Sequence, residues 1–176
     1  MTIPDYQTLM LPTLTAFKIE RTLKEAVEII SKELGLTEEE KQTFLPSGGQ
    51  SIIYNRVGWA KFYLKNAGLL DSKKRGLTFV TEEGNRVLSQ NPSKIDNKFL
   101  RKFSSFENFL NKNLKHQKPQ TKDTTAQTVD FEYTAATPDE IIYNAYTEIN
   151  EQLKVELLEK LKKTGMATLF RTLNLS

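Results

Sequence analysis

The sequence predicts a mainly α fold with one small β-hairpin. Three observations carry that reading. Apolar residues recur at helical spacing behind well-formed helix starts, two short β-like runs flank a polar turn ending in Gly76, and the composition changes character after Pro92.

Taken in order, residues 5–17 read as a helix with Leu9, Met10, Leu14 and Phe17 on one face, kinked at Pro12. Thr22 and Glu25 have capping-box spacing, in which a hydroxyl and a carboxylate satisfy each other's orphan amides. Leu23, Val27, Ile30 and Leu34 follow as one stripe, and Gly35 is the stop. Thr37 and Glu40 form a second capping box that opens a short helix through Phe44, broken by Pro46 to Gly49. From Gln50 to Ala67 the apolar stripe is Ile53, Val57, Ala60, Leu64 and Ala67, and Gly68 ends it. Leu69–Leu70 and Leu77–Val80, joined by Asp71 to Gly76, read as a hairpin. Thr81 caps a last helix with Val87 and Leu88 inward, ending at Asn91-Pro92. Helices, then a basic-tipped hairpin, then a helix is the order of a winged helix-turn-helix.

Residues 1–92 are therefore read as the winged-helix domain. Residues 93–114, with Phe99, Leu100, Phe103, Phe106, Phe109 and Leu110, are read as a helical extension packing back on it. The polar stretch 115–136 has no periodicity and reads as a flexible linker. Thr137-Pro-Asp-Glu140 combines an N-cap, proline at the first helical position and a capping glutamate. It opens an amphipathic helix over 137–163 whose inward stripe is Ile142, Tyr146, Ile149, Leu153, Leu157 and Leu161, with 164–176 as a tail. That helix must bury its stripe on the winged domain or on a second copy, so a homodimer through 137–163 is one expectation.

Composition narrows the function. The 176 residues are 38% hydrophobic and 27% charged, with a mean hydropathy of −0.49. No apolar run approaches the roughly 18 residues of a membrane span, and the N-terminus has no basic leader, so no membrane partner is expected. Cysteine is absent, which excludes disulfides and thiolate chemistry and suits a reducing cytoplasm. The single histidine, His116, lies in the polar stretch and excludes a metal site built on histidine and cysteine. The net charge of +3 hides clustering. Residues 50–79 hold Arg56, Lys61, Lys65, Lys73, Lys74 and Arg75 against Asp71 alone, and 94–118 hold seven cations against two carboxylates. Clustered cations are what an anionic polymer responds to.

The Gln50–Ala67 helix and the hairpin carry the strongest functional signal. A helical wheel turns Ser51, Tyr54, Asn55, Gly58, Phe62 and Lys65 away from the apolar stripe. Hydroxyl, amide and ammonium groups suit base edges and phosphates, and Gly58 allows close approach to a backbone. Gln50 stands at the start of this helix and Arg56 at the edge of its apolar face, where an ion pair with a carboxylate competes with a phosphate contact. Lys73, Lys74 and Arg75 sit at the hairpin tip, placed for phosphates. A lysine-rich turn and a charged helix face are also what plain solvated surface looks like, and Trp59 and Phe62 have the alternative of docking against the helices near 99–110.

Catalytic patterns fare poorly. Gln120-Thr-Lys122 has the letters of a metal-dependent nuclease but no strand context, and Glu39-Glu40-Lys41 lies on a capped helix. There is no P-loop, no glycine-rich dinucleotide turn and no nucleophile elbow.

Several segments in order resemble the N-terminal domain of Mrr-type restriction endonucleases: Ile3 to Pro12, Leu34 to Glu40, Leu45-Pro-Ser-Gly48, Asn55-Arg-Val-Gly-Trp-Ala60, Tyr63 to Leu70, Arg75-Gly76 and Thr81-Glu-Glu-Gly84. Thr137-Pro-Asp-Glu140 resembles the segment that leads into that family's nuclease domain. The resemblance implies a winged-helix domain that binds duplex DNA within a system restricting methylated DNA. In the family, cleavage belongs to a PD-(D/E)xK domain using a divalent cation, and its Asp and Gln-x-Lys strands have no counterpart here. The expected protein is thus a non-catalytic duplex DNA-binding module, without a cofactor, in the cytoplasm at the nucleoid. The alternatives are a winged-helix transcriptional regulator, or the DNA-targeting part of a nuclease whose catalytic domain is on another chain or lost by truncation. Candidate DNA contacts are Gln50, Ser51, Tyr54, Asn55, Arg56, Lys65, Lys73, Lys74 and Arg75.

Overall fold

The computed structural model describes residues 3–116 and 135–173, with side chains placed over 3–112 and 135–164. The chain divides into two units, Met1–Thr137 and Pro138–Ser176. The linker expected over 115–136, with its Gln120-Thr-Lys122, therefore falls almost wholly outside the described residues.

The first helix, α1, spans Met10–Ala16 rather than starting near residue 5. The preceding turn is held by the Asp5 carboxylate, which accepts the amides of Gln7 and Thr8 at 2.9 and 3.0 Å and the Thr8 hydroxyl at 2.7 Å. Pro12 is consequently the third residue of the helix, where the amide it lacks would have no intrahelical acceptor. No kink is required there. Next come the two-residue strand β1 (Arg21–Thr22) and α2 (Leu23–Glu33), then α3 (Glu38–Lys41). Both capping boxes close, Thr22 with Glu25 and Thr37 with Glu40. Lys41 bonds Glu38 at 2.8 Å and Glu28 at 3.4 Å, tying α3 to α2 at the surface.

The central helix α4 (Ile52–Asn66) packs against α1 and α2, and Ile53, Val57, Ala60, Leu64 and Ala67 are all buried, as the stripe predicts. Gly35 and Gly68, at φ of +66° and +80°, end α2 and α4 in the left-handed conformation that only glycine adopts without strain. At each, the next residue's amide returns to the helix, Leu36 to the Ser31 carbonyl and Leu69 to that of Leu64, both at 3.0 Å.

The hairpin is β2 (Leu70–Lys74) and β3 (Leu77–Val80), but it is part of a larger sheet. β1 pairs antiparallel with β3, Arg21 opposite Thr78 and Thr22 opposite Leu77, giving the order β1-β3-β2. Two residues are too short for a period-two pattern, and the pairing joins positions more than fifty residues apart, so nothing local in the sequence marks β1. The register shifts between Asp71 and Lys74, and Gly76 turns the tip at φ +87°.

α5 (Glu82–Ser89) is capped by Thr81, α6 (Asn97–Leu100) by Asp96, and α7 runs Ser104–His116. Ile95, Leu100 and Phe106 join the core of α1, α2 and α4. Asn97 fastens the extension to the N-terminus, donating from Nδ2 to the Tyr6 hydroxyl at 2.7 Å and from its amide to Gln7 Oε1 at 3.0 Å. His116, read as linker, closes α7.

The second unit holds α8 (Pro138–Leu173), which continues through most of the expected tail. Ile142, Tyr146, Ile149, Leu153, Leu157 and Leu161 are between 50% and 68% exposed.

Candidate nucleic-acid interface

α4 buries its apolar stripe and leaves a second line of residues exposed or half-buried. Ser51, the N-cap, and Gly58 are half-buried, Tyr54 is 36% exposed, Lys61 is half-buried and Lys65 is exposed. Steps of three and four residues put these five on one line along the helix. A short antiparallel bridge between Phe44 and Ser51 sets the angle at which the chain enters α4, with the Leu45 amide on the Gln50 carbonyl at 2.9 Å. Gln50 is half-buried at that bridge.

Lys61 belongs to this line although it was not among the candidate contacts. Its spacing, seven residues beyond Tyr54 and four before Lys65, is the signal that finds it. Partial burial holds its ammonium below the usual lysine range, and the charge of Lys65 adds to that. A cation held under such repulsion gains from an anion brought beside it. Gly58 is equally notable. A Cβ built there would meet only the Leu23 Cδ2 at 3.8 Å, an ordinary contact. Internal packing therefore does not demand glycine, while glycine within a helix costs about 1 kcal/mol relative to alanine.

Lys65 connects the line to the sheet, its Nζ lying 3.8 Å from Asp71 Oδ1 at the foot of β2. Both groups are exposed, so the pair contributes at most about 1 kcal/mol and yields readily. At the tip Lys73, Lys74 and Arg75 are exposed, with Lys73 Nζ 5.2 Å from the centroid of the Phe79 ring.

Two candidate contacts are placed otherwise. Asn55 is 2% exposed, and its Oδ1 accepts a 2.8 Å hydrogen bond from the Thr137 hydroxyl. The wheel put it on the outer face because it flanks the apolar stripe, but Thr137 covers it. Arg56 donates from Nη1 to the carbonyls of Ile3 at 2.6 Å and Pro4 at 3.1 Å, so its guanidinium holds the N-terminal segment. Phe62 lies edge-on to Phe109 at 5.6 Å and to Trp59 at 5.3 Å, so the aromatic extension meets that flank while the Phe62 ring stays 43% exposed.

Among the described residues no group of His, Asp or Glu side chains is gathered to hold a metal ion, and no helix is long and apolar enough to cross a membrane.

A helical core, a central helix with one polar cationic line, and a hairpin with a cationic tip define a winged helix-turn-helix. Residues 6–90 match the family model of the Mrr N-terminal domain. The type IV methyl-directed restriction enzyme EcoKMrr of Escherichia coli strain K12 is 30% identical over 166 residues. The match takes in 92% of this chain but 54% of that enzyme, so the chain spans about half the length of its relative. No solved structure matches the chain.

Proposed function

We propose that the winged-helix unit is the duplex-DNA-binding module of a restriction system, and that this stretch of chain cleaves nothing itself. α4 lies in the major groove with Ser51, Tyr54, Gly58, Lys61 and Lys65 toward the DNA, while Lys73, Lys74 and Arg75 hold phosphates beside it. The observation that carries this reading is the continuity of cationic and hydroxyl groups, exposed or half-buried, from α4 through Lys65 to the hairpin. The relative's description as methyl-directed supports methylated duplex as the preferred ligand, acting on nucleoid DNA in the cytoplasm. That the relative is nearly twice as long favours a second reading within the first, in which cleavage is supplied by a nuclease domain outside this stretch.

Fluorescence anisotropy with labelled duplexes tests it. Binding should weaken steeply between 50 and 200 mM salt, by about tenfold or more, should survive EDTA, and should be tighter for methylated duplex across several sequences. Equal binding to one operator sequence with or without methylation would instead mark a transcriptional regulator. No binding at 50 mM salt would sink the proposal.

A further inference from the structure

The exposed row of α8 has an internal symmetry. Ile142, Tyr146, Ile149, Leu153, Leu157 and Leu161 follow one another at steps of three and four, which keeps them on one side of the helix. Ile142 and Leu153, like Tyr146 and Leu157, are eleven residues apart, a recurrence that tracks a nearly straight helix. Contiguous apolar surface of this length marks a place where another molecule sits.

The row reads alike from both ends. Reversed about the point between Glu151 and Gln152, Ile142 falls opposite Leu161, Tyr146 opposite Leu157, and Ile149 within one residue of Leu153. Charge along the helix is polarised about the same point. Residues 138–153 carry Asp139, Glu140, Glu148 and Glu151 and no lysine or arginine, whereas 154–164 carry Lys154, Lys160, Lys162 and Lys163 against Glu156 and Glu159. A parallel pair would set acidic half against acidic half and basic against basic. An antiparallel pair sets Asp139 and Glu140 of one copy beside Lys162 and Lys163 of the other. An apolar row that is its own partner under a two-fold axis is the requirement of an isologous interface.

We propose that α8 is a self-association surface, on which a second copy of this chain packs antiparallel from Ile142 to Leu161. The claim is independent of DNA binding, since it rests on other residues and another unit.

The full chain lacks cysteine, so single introduced thiols report geometry without background. Sedimentation equilibrium at micromolar concentration should give a dimer. Mixing Tyr146→Cys protein with Leu157→Cys protein under copper-phenanthroline oxidation should yield the mixed disulfide several-fold over either variant alone. Reversing exposed charges keeps the apolar row intact. Asp139→Lys/Glu140→Lys alone, or Lys162→Glu/Lys163→Glu alone, should loosen the dimer by about tenfold, and mixing the two variants should restore association. A monomer, preferential Tyr146→Cys self-coupling, or the lack of restoration on mixing would each overturn the proposal, while the anisotropy assay would still report DNA binding.

Discussion

The Thr137 hydroxyl donates a 2.8 Å hydrogen bond to Asn55 Oδ1 across 82 residues of sequence, with both side chains in the interior. The last residue of the first unit is thereby fastened to the helix that faces the proposed ligand. Thr137→Val keeps the shape and removes the donor, so stability to urea should fall by about 1–3 kcal/mol. Its DNA affinity and salt dependence should stay as they are. A large loss of affinity with unchanged stability would return Asn55 to the binding surface.

Two glycines should respond oppositely to alanine. At Gly84 a Cβ would collide with the Leu69 carbonyl oxygen and stand 2.5 Å from Val80 Cγ2, so α5 cannot keep its seat against the sheet. Gly84→Ala should cost about 1–3 kcal/mol. At Gly58 a Cβ would meet only Leu23 Cδ2 at 3.8 Å, an ordinary contact, so Gly58→Ala should stabilise α4 by up to about 1 kcal/mol while weakening DNA binding, because the methyl adds bulk along the ligand-facing line. Thermal melting and anisotropy on the same preparations separate the two effects.

Cations that look equivalent in the sequence should differ in kind. Replacing Lys73, Lys74 and Arg75 by alanine should leave stability within about 0.5 kcal/mol of the parent. The same change should flatten the salt dependence of binding, its log–log slope falling by about one for each phosphate that is no longer neutralised. Arg56→Met should do the reverse, releasing the Ile3 and Pro4 carbonyls and lowering stability by about 1–3 kcal/mol with the salt slope unchanged. Denaturant titrations and binding at several salt concentrations suffice to tell these apart.

Acid should loosen the N-terminal turn. Burial pushes the Asp5 carboxyl up, but hydrogen bonds from the Thr8 hydroxyl and the Thr8 and Gln7 amides outweigh it, with Lys94 assisting, and the net shift is downward. A carboxylate with a lowered folded pKa contributes stability that is fully present above its unfolded value, about 3.9, and is lost as pH falls through the lower folded value. Asp5→Asn should therefore be less stable than the parent at pH 7, and the gap should close below about pH 4. A gap of constant size from pH 7 to pH 3 in urea titrations would remove Asp5 from the account.

How much of this is legible without coordinates depends on how far each signal reaches. Thr22 with Glu25 and Thr37 with Glu40 are complete within four residues, and the caps form as the spacing requires. The α4 stripe needs only helical periodicity, and it is buried as written. Lys61 is legible too, from its spacing to Tyr54 and Lys65, though the denser cationic run at the hairpin tip gives the louder signal.

By itself the sequence determined the helix boundaries set by caps and glycine stops, the buried stripes, and the concentration of cations on α4 and the hairpin, because each follows from backbone geometry or from counting within a few residues. Tertiary structure alone decided that β1 joins the sheet, that Thr137 covers Asn55 and that Arg56 holds the N-terminal carbonyls. Those outcomes depend on which distant segment arrives at a given face. A side chain at the margin of a stripe is inside or outside only once that neighbour is in place.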